Sequence, residues 1–206
     1  DGPADGRSFA GDSYVIFGSA TIGLSTSAVT RAGTDASETL NGNGAANVLI
    51  GGRGDDILNG KGGVDVLRGG EGDDVLSIGN AQFRALSGGT GEDVLELDGA
   101  MTLADAAFRR VDGIEGITLG DFALNLTLGR VASHAFDGLA ADGFRLVVDT
   151  SAVANAAITL NGSDFGRALT VDLSGNAAVS RLSGGIGDDV LTGGSANDKL
   201  DGGDGA

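Results

Sequence analysis

Carboxylates recur in this chain at one fixed distance behind glycine. In "GGRGDDILN" (51–59), "GGEGDDVLS" (69–77), "GGTGEDVLE" (88–96) and "GGIGDDVLT" (184–192), glycine holds positions 1, 2 and 4, aspartate position 6 and leucine position 8. Glycine at those places lets the backbone turn sharply and present several carbonyls on one side. Asp56, Asp74, Asp93 and Asp189 each add a negatively charged oxygen at the end of the turn. Carbonyl and carboxylate oxygens, with neither thiol nor imidazole among them, form a donor set for a hard cation such as calcium, which takes six or more.

The elements that must position these groups follow from the spacing. A nine-residue register starting at Gly33 also takes in "GTDASETLN" (33–41), "GNGAANVLI" (42–50) and "GKGGVDVLR" (60–68). It breaks at the ten-residue "IGNAQFRALS" (78–87), resumes at 88, and returns in "GGSANDKLD" (193–201) and "GGDGA" (202–206). The leucines at position 8 (Leu40, Leu49, Leu58, Leu67, Leu76, Leu95, Leu191 and Leu200) are expected to point inward from very short strands. Two nonapeptides then make one coil, with Glu38, Asp56, Asp74 and Asp93 along one edge and Asn47 and Asp65 along the other. Stacked coils lie about 4.8 Å apart. Unit charges at that distance repel by about 3–4 kcal/mol at an effective dielectric near 20, so the ladder opposes folding until a cation reverses the sign.

These copies resemble the RTX (haemolysin-type) calcium-binding nonapeptide repeat, Gly-Gly-x-Gly-x-Asp-x-apolar-x. The resemblance implies an all-β chain, a right-handed parallel β-roll or β-solenoid, with calcium ions held between coils. In that family one coil gives carbonyls from positions 2 and 4 plus its acid, and the next gives carbonyls from positions 1 and 3 plus its own acid. Carried onto this chain, one site takes Gly52, Gly54, Asp56, Gly69, Glu71 and Asp74, and the next takes Gly70, Gly72, Asp74, Gly88, Thr90 and Asp93. A weaker site takes Thr34, Ala36, Glu38, Gly51, Arg53 and Asp56. The opposite edge offers Asn43, Ala45, Asn47, Gly60, Gly62 and Asp65, with asparagine replacing the first carboxylate. The inserted residue in 78–87 and Phe83 at the acid's place are expected to abolish a full site below Asp65. Gly185, Gly187 and Asp189 form a half-built site against the coil starting at Gly202, and Asp198 has no evident partner copy.

Residues 97–183 lack the glycine loops but keep alternating apolar stretches: "GITLGD" (116–121), "LNLTLG" (124–129), "FRLVVD" (144–149), "AITLN" (157–161) and "LTVDLSG" (169–175). "LADAAFRR" (103–110) and "VASHAFDGLA" (131–140) read as short helical or turn segments. The expectation is an irregular, calcium-free solenoid spacer between two RTX blocks, 33–96 and 184–206. The pattern "GGTGEDVLEL…DAAFRRVDGIEGITL" (88–119) resembles spacers between RTX blocks in bacterial surface-layer proteins and large adhesins. Residues 1–32 read as a linker or the end of a propeller-like domain, since "DSYVIFGSA" (12–20) resembles the closing strand of an FG-GAP blade. The ending in "GGDGA" suggests a piece of something longer.

Composition narrows the function classes. Among 206 residues there are 39 glycines, 4 % aromatics, one proline and no tryptophan, which suits a thin-cored repetitive structure. Acids outnumber bases 29 to 13, a net charge of −16 that repels nucleic acid and anionic lipid and attracts cations. No cysteine is present to bridge or bind metal, and no apolar run reaches a membrane-spanning length. With a single histidine, His134, no serine–histidine or zinc constellation assembles, so no catalytic residues are assigned. The expected function is an extracellular calcium-binding structural module that folds on calcium. By the resemblance it belongs to a larger type I-secreted surface-layer or adhesin-type protein at the surface of a Gram-negative bacterium. The alternative is the accessory tail of a secreted metalloprotease or polysaccharide-modifying enzyme. Calcium is the expected partner, with neighbouring copies or cell-surface polysaccharide as further ones.

Overall fold

The computed structural model describes residues 15–16, 30–136 and 145–205. From Thr30–Ala32 on, their strands form three parallel stacks wound into a β-solenoid of about nine turns. The nonapeptide makes this fold because each copy supplies a glycine turn followed by a strand only a few residues long, with one large apolar side chain per copy to point inward. Leu49, Leu58, Leu67, Leu76 and Leu95 are fully buried. On one face Leu40, Leu58, Leu76 and Leu95 stand in register, and on the other Leu49, Leu67 and Leu86 do. The side chains before them face outward, as Ile57 does at 45 % exposure.

The ten-residue break at 78–87 is absorbed locally. Strand Phe83–Thr90 pairs with Asp65–Glu71 through a register shift, Asp65 lying opposite Phe83 and Val66 opposite Ala85. Arg84 is the extra residue, and below the bulge Leu67 meets Leu86 and Gly70 meets Gly89. A bulge absorbs one residue without turning the leucines out of the core, which a slip of the whole register would do.

One sheet of eight strands runs the length of the described solenoid, from Thr39–Asn41 to Val190–Thr192. The opposite face is built from two sheets. The first contains Val48–Arg53, Asp65–Glu71 and Phe83–Thr90 and ends at Val111–Asp112; the second runs from Met101–Leu103 through Leu124–Thr127, Ile158–Asn161 and Arg181–Ser183 to Lys199–Asp201. Both appear in the single coil between Val94–Leu97 and Gly116–Leu119, joined by the 3-10 helix Asp105–Arg110. From there the coils lengthen, and rings join the leucines in the core. Phe108, Phe136 and Phe165 are buried with centroids 5.6 Å and 6.4 Å apart in sequence order.

All five alternating stretches of the middle segment carry strands, and "LADAAFRR" carries the 3-10 helix. Helix Arg130–Ala135 begins one residue before "VASHAFDGLA" and covers its first half; residues 137–140 of that stretch lie outside the described residues. Carboxylates here serve the backbone: Asp105 accepts the Gly129 and Ala132 N–H groups at 2.8 and 2.9 Å, at the start of that helix. Asp121 accepts three in a row, from Ala154, Asn155 and Ala156, which holds its carboxyl below the usual range. At the start, Val15–Ile16 pairs antiparallel with Thr30 and Arg31. The rest of "DSYVIFGSA", which carried the propeller resemblance, lies outside the described residues.

Candidate metal centre

The acids at position 6 form a continuous hydrogen-bonded ladder. The Glu38 N–H donates to Asp56 Oδ1, Asp56 to Asp74 Oδ1 and Asp74 to Asp93 Oδ1, each at 2.8 Å. The Asp93 N–H in turn donates to Glu115 Oε2 at 2.7 Å. Asp56, Asp74 and Asp93 are no more than 1 % exposed. Their second oxygens, Oδ2, are buried and accept no hydrogen bond. A buried carboxylate oxygen without a partner is strongly unfavourable unless a charge meets it.

Electrostatics reports the same condition. Burial is the main cause pushing the carboxyls of Asp56 and Asp74 above their ordinary value; the backbone N–H each accepts works against it, and neighbouring acids add to it. Asp93 is pushed furthest, to about 6, by burial and then by Asp74 and Glu115 against the relief of one N–H. Arg53, the cation in the turn above, lies exposed against Asp35 and Glu71 at 3.6 and 3.3 Å.

The glycines mark where the orphan oxygens face. A Cβ on Gly51 would strike Asp56 Oδ2 and lie 2.6 Å from the Gly69 carbonyl oxygen. One on Gly69 would strike Asp74 Oδ2 and lie 2.7 Å from the Gly88 carbonyl oxygen. Each orphan therefore converges with the position-1 carbonyl of the next coil. Between them Gly70 sits at φ 133°, where its hydrogen faces the Gly52 carbonyl and any side chain would be strained. Register holds the carbonyls of positions 2 and 3 in columns, Gly52 beside Gly70 beside Gly89 and Arg53 beside Glu71 beside Thr90. No three acidic or imidazole side chains gather at one point among the described residues, so main-chain carbonyls must complete any ion site.

A family model for the RTX calcium-binding nonapeptide repeat (four copies) matches residues 32–67, 60–77 and 174–206. The matched segments are RTX repeats. No curated protein and no solved structure matches it. RTX repeats bind calcium, and the oxygen-only columns with their unpartnered carboxylates fit that ion. The copy at 88–96 lies outside the family matches, yet Asp93 occupies the same ladder position with the same orphan oxygen as Asp56 and Asp74.

The other RTX positions differ in a physically specific way. Glu38 has both oxygens engaged, by the Thr34 N–H at 2.7 Å and the Thr34 hydroxyl at 2.8 Å. At the opposite edge Gly60 and Gly62 precede Asp65, whose Oδ1 accepts the Asn47 N–H at 2.8 Å. The Asn47 amide nitrogen itself donates to the carbonyls of Asn43 at 3.0 Å and Ala45 at 2.5 Å and to Asp65 at 3.1 Å. In the C-terminal block Asp189 accepts Gly185 at 2.6 Å and Leu169 at 2.7 Å, so the half-site of Gly185, Gly187 and Asp189 carries a satisfied carboxylate. Asp198, without a partner copy in sequence, accepts Gly194 and Ser180, both at 2.7 Å. Glu115 was not legible as a ladder member, since it lies outside any nonapeptide and its only motif-like signal is Gly113 two residues before it.

Proposed function

We propose that this protein is a calcium-dependent structural module of a larger secreted surface-layer or adhesin-type protein, in which calcium drives the folding of residues 33–96 by neutralising the Asp56–Asp74–Asp93 ladder. The observation that carries this reading is the trio of buried, unpartnered Oδ2 atoms, each facing a carbonyl of the next coil. The first two sites use Gly52, Gly54, Asp56, Gly69, Glu71 and Asp74, and then Gly70, Gly72, Asp74, Gly88, Thr90 and Asp93. Bound calcium supplies the positive charge that the side chains around the ladder do not.

RTX repeat proteins are typically secreted, and RTX regions and β-solenoids are typically structural. The charge ladder suits that route: in a calcium-poor compartment the acids repel and the glycine-rich chain stays open, and outside, ligation couples to folding. At millimolar calcium and a dissociation constant near 0.1 mM, each site contributes about 1.4 kcal/mol.

The test is far-UV circular dichroism during a calcium titration with magnesium as control. A cooperative gain of β signal with calcium, lost in Asp74→Ala, is expected. A chain whose signal and melting are the same in chelator and in calcium would overturn the proposal.

A further inference from the structure

We infer that the ladder holds one more calcium ion than its nonapeptides provide for, between Asp93 and Glu115; this rests on the calcium reading above. The coil below Asp93 lacks an RTX turn. Where the upper coil takes five steps from Gly88 to Asp93, the lower takes two, from Gly113 to Glu115. Pairing of Ser87 with Asp112 sets Gly113 beneath Gly88, and Gly113 turns at φ 57°.

The short turn nevertheless reproduces the ladder's contacts. Its carboxylate accepts the Asp93 N–H, as Asp93 accepts that of Asp74. A Cβ on Gly88 would strike both Asp93 Oδ2 and the Gly113 carbonyl oxygen, as one on Gly69 strikes Asp74 Oδ2 and approaches the Gly88 carbonyl. The Gly89 carbonyl oxygen lies 3.2 Å from the place of a Gly113 Cβ. The Glu115 N–H donates to the Asp93 carbonyl at 2.8 Å, fixing the two residues together. A shorter loop sets the acid's backbone back, and the additional methylene of glutamate restores its reach.

The competing explanation is that Glu115 only caps the Asp93 N–H. Against it, Asp93 is fully buried and its Oδ2 has no partner, the same state as in the two upper sites. A cap needs an acceptor, and a neutral amide would serve. Placing a second carboxylate there raises repulsion on Asp93, which is favourable only with a cation between them.

Glu115→Gln separates the two, because the amide oxygen keeps the acceptor and removes the charge. Calcium stoichiometry is measured on the whole chain by isothermal titration calorimetry. The variant is expected to bind one ion fewer than the parent, with unchanged β signal in saturating calcium. Equal stoichiometry and affinity in the two proteins would overturn the Asp93–Glu115 site and leave the calcium reading standing. No uptake by either protein would overturn the calcium reading and this inference with it. Should Glu115→Gln fail to fold, crystals of the parent soaked in terbium decide. An anomalous peak beside Glu115 supports the site, and peaks at the upper sites alone overturn it.

Discussion

Asp93 shows what the ladder does in the absence of an ion. Burial raises its carboxyl from 3.8 to about 6, and Asp56, Asp65, Asp74 and Glu115 move in the same direction. A folded value above the unfolded one means that the folded chain binds the proton more tightly. The stability these groups contribute is therefore complete below the unfolded value near 3.8 and is lost as pH rises through the folded value of about 6. In chelator the roll is expected to melt at a higher temperature at about pH 5 than at about pH 7.5. Calcium reverses the trend, because protons then compete with the ion for the same oxygens. Thermal melts at both pH values, with chelator and with calcium, check the pair of signs; Asp93→Asn is expected to flatten the chelator series.

At the scale of the coil, the two edges solve one electrostatic problem differently. The Asp56–Asp74–Asp93 edge leaves oxygens for an ion, whereas at the other edge the Asn47 amide donates to Asn43, Ala45 and Asp65. Asn47→Asp removes those donors and sets a second carboxylate beside Asp65. The change is expected to destabilise the calcium-free fold by about 2–3 kcal/mol, with calcium restoring most of the loss; paired melts in chelator and calcium read it out. The repeat made much of this legible in advance, since a nine-residue period with one leucine per copy fixes coil length, register and the acid edge together. The period sets Asn47 above Asp65, but which way its amide faces depends on contacts across the coil. The bulge at Arg84 and the exchange of sheets at Met101–Leu103 were not legible, because a strand's alternation reads the same whichever neighbour it pairs with. Glu115 was hidden for a related reason: its partner, Asp93, is 22 residues away across a coil of irregular length.

For the whole molecule, the eight-stranded sheet is continuous, but what stabilises it changes along its length. From Thr39–Asn41 to Asp65–Glu71 each strand buries one leucine, Ile78, Phe83 and Leu97 add a second apolar residue in the strands that follow, and the acid edge opposes folding. From the 3-10 helix Asp105–Arg110 onward Phe108, Phe136 and Phe165 fill the interior, and Asp105 and Asp121 are satisfied by backbone N–H groups. Among its described residues the thicker part has no buried charged atom without a partner, so it should persist in chelator and offer its Gly116–Leu119 edge as a template for the RTX coils. Hydrogen exchange is expected to show protection in Leu124–Thr127, Ile158–Asn161 and Ala168–Asp172 with or without calcium, and in Ile57–Asn59 and Val75–Ile78 only with it. Phe136→Ala should destabilise the protein by about 3–5 kcal/mol in either condition, since it empties a packed ring site that no ion touches. Asp74→Ala, by contrast, should lower stability only when calcium is present, since in chelator it removes a repulsive charge from the ladder. If protection in Val75–Ile78 survived chelation, the aromatic segment would be holding the RTX coils folded by itself, and calcium would add rigidity to a roll already formed.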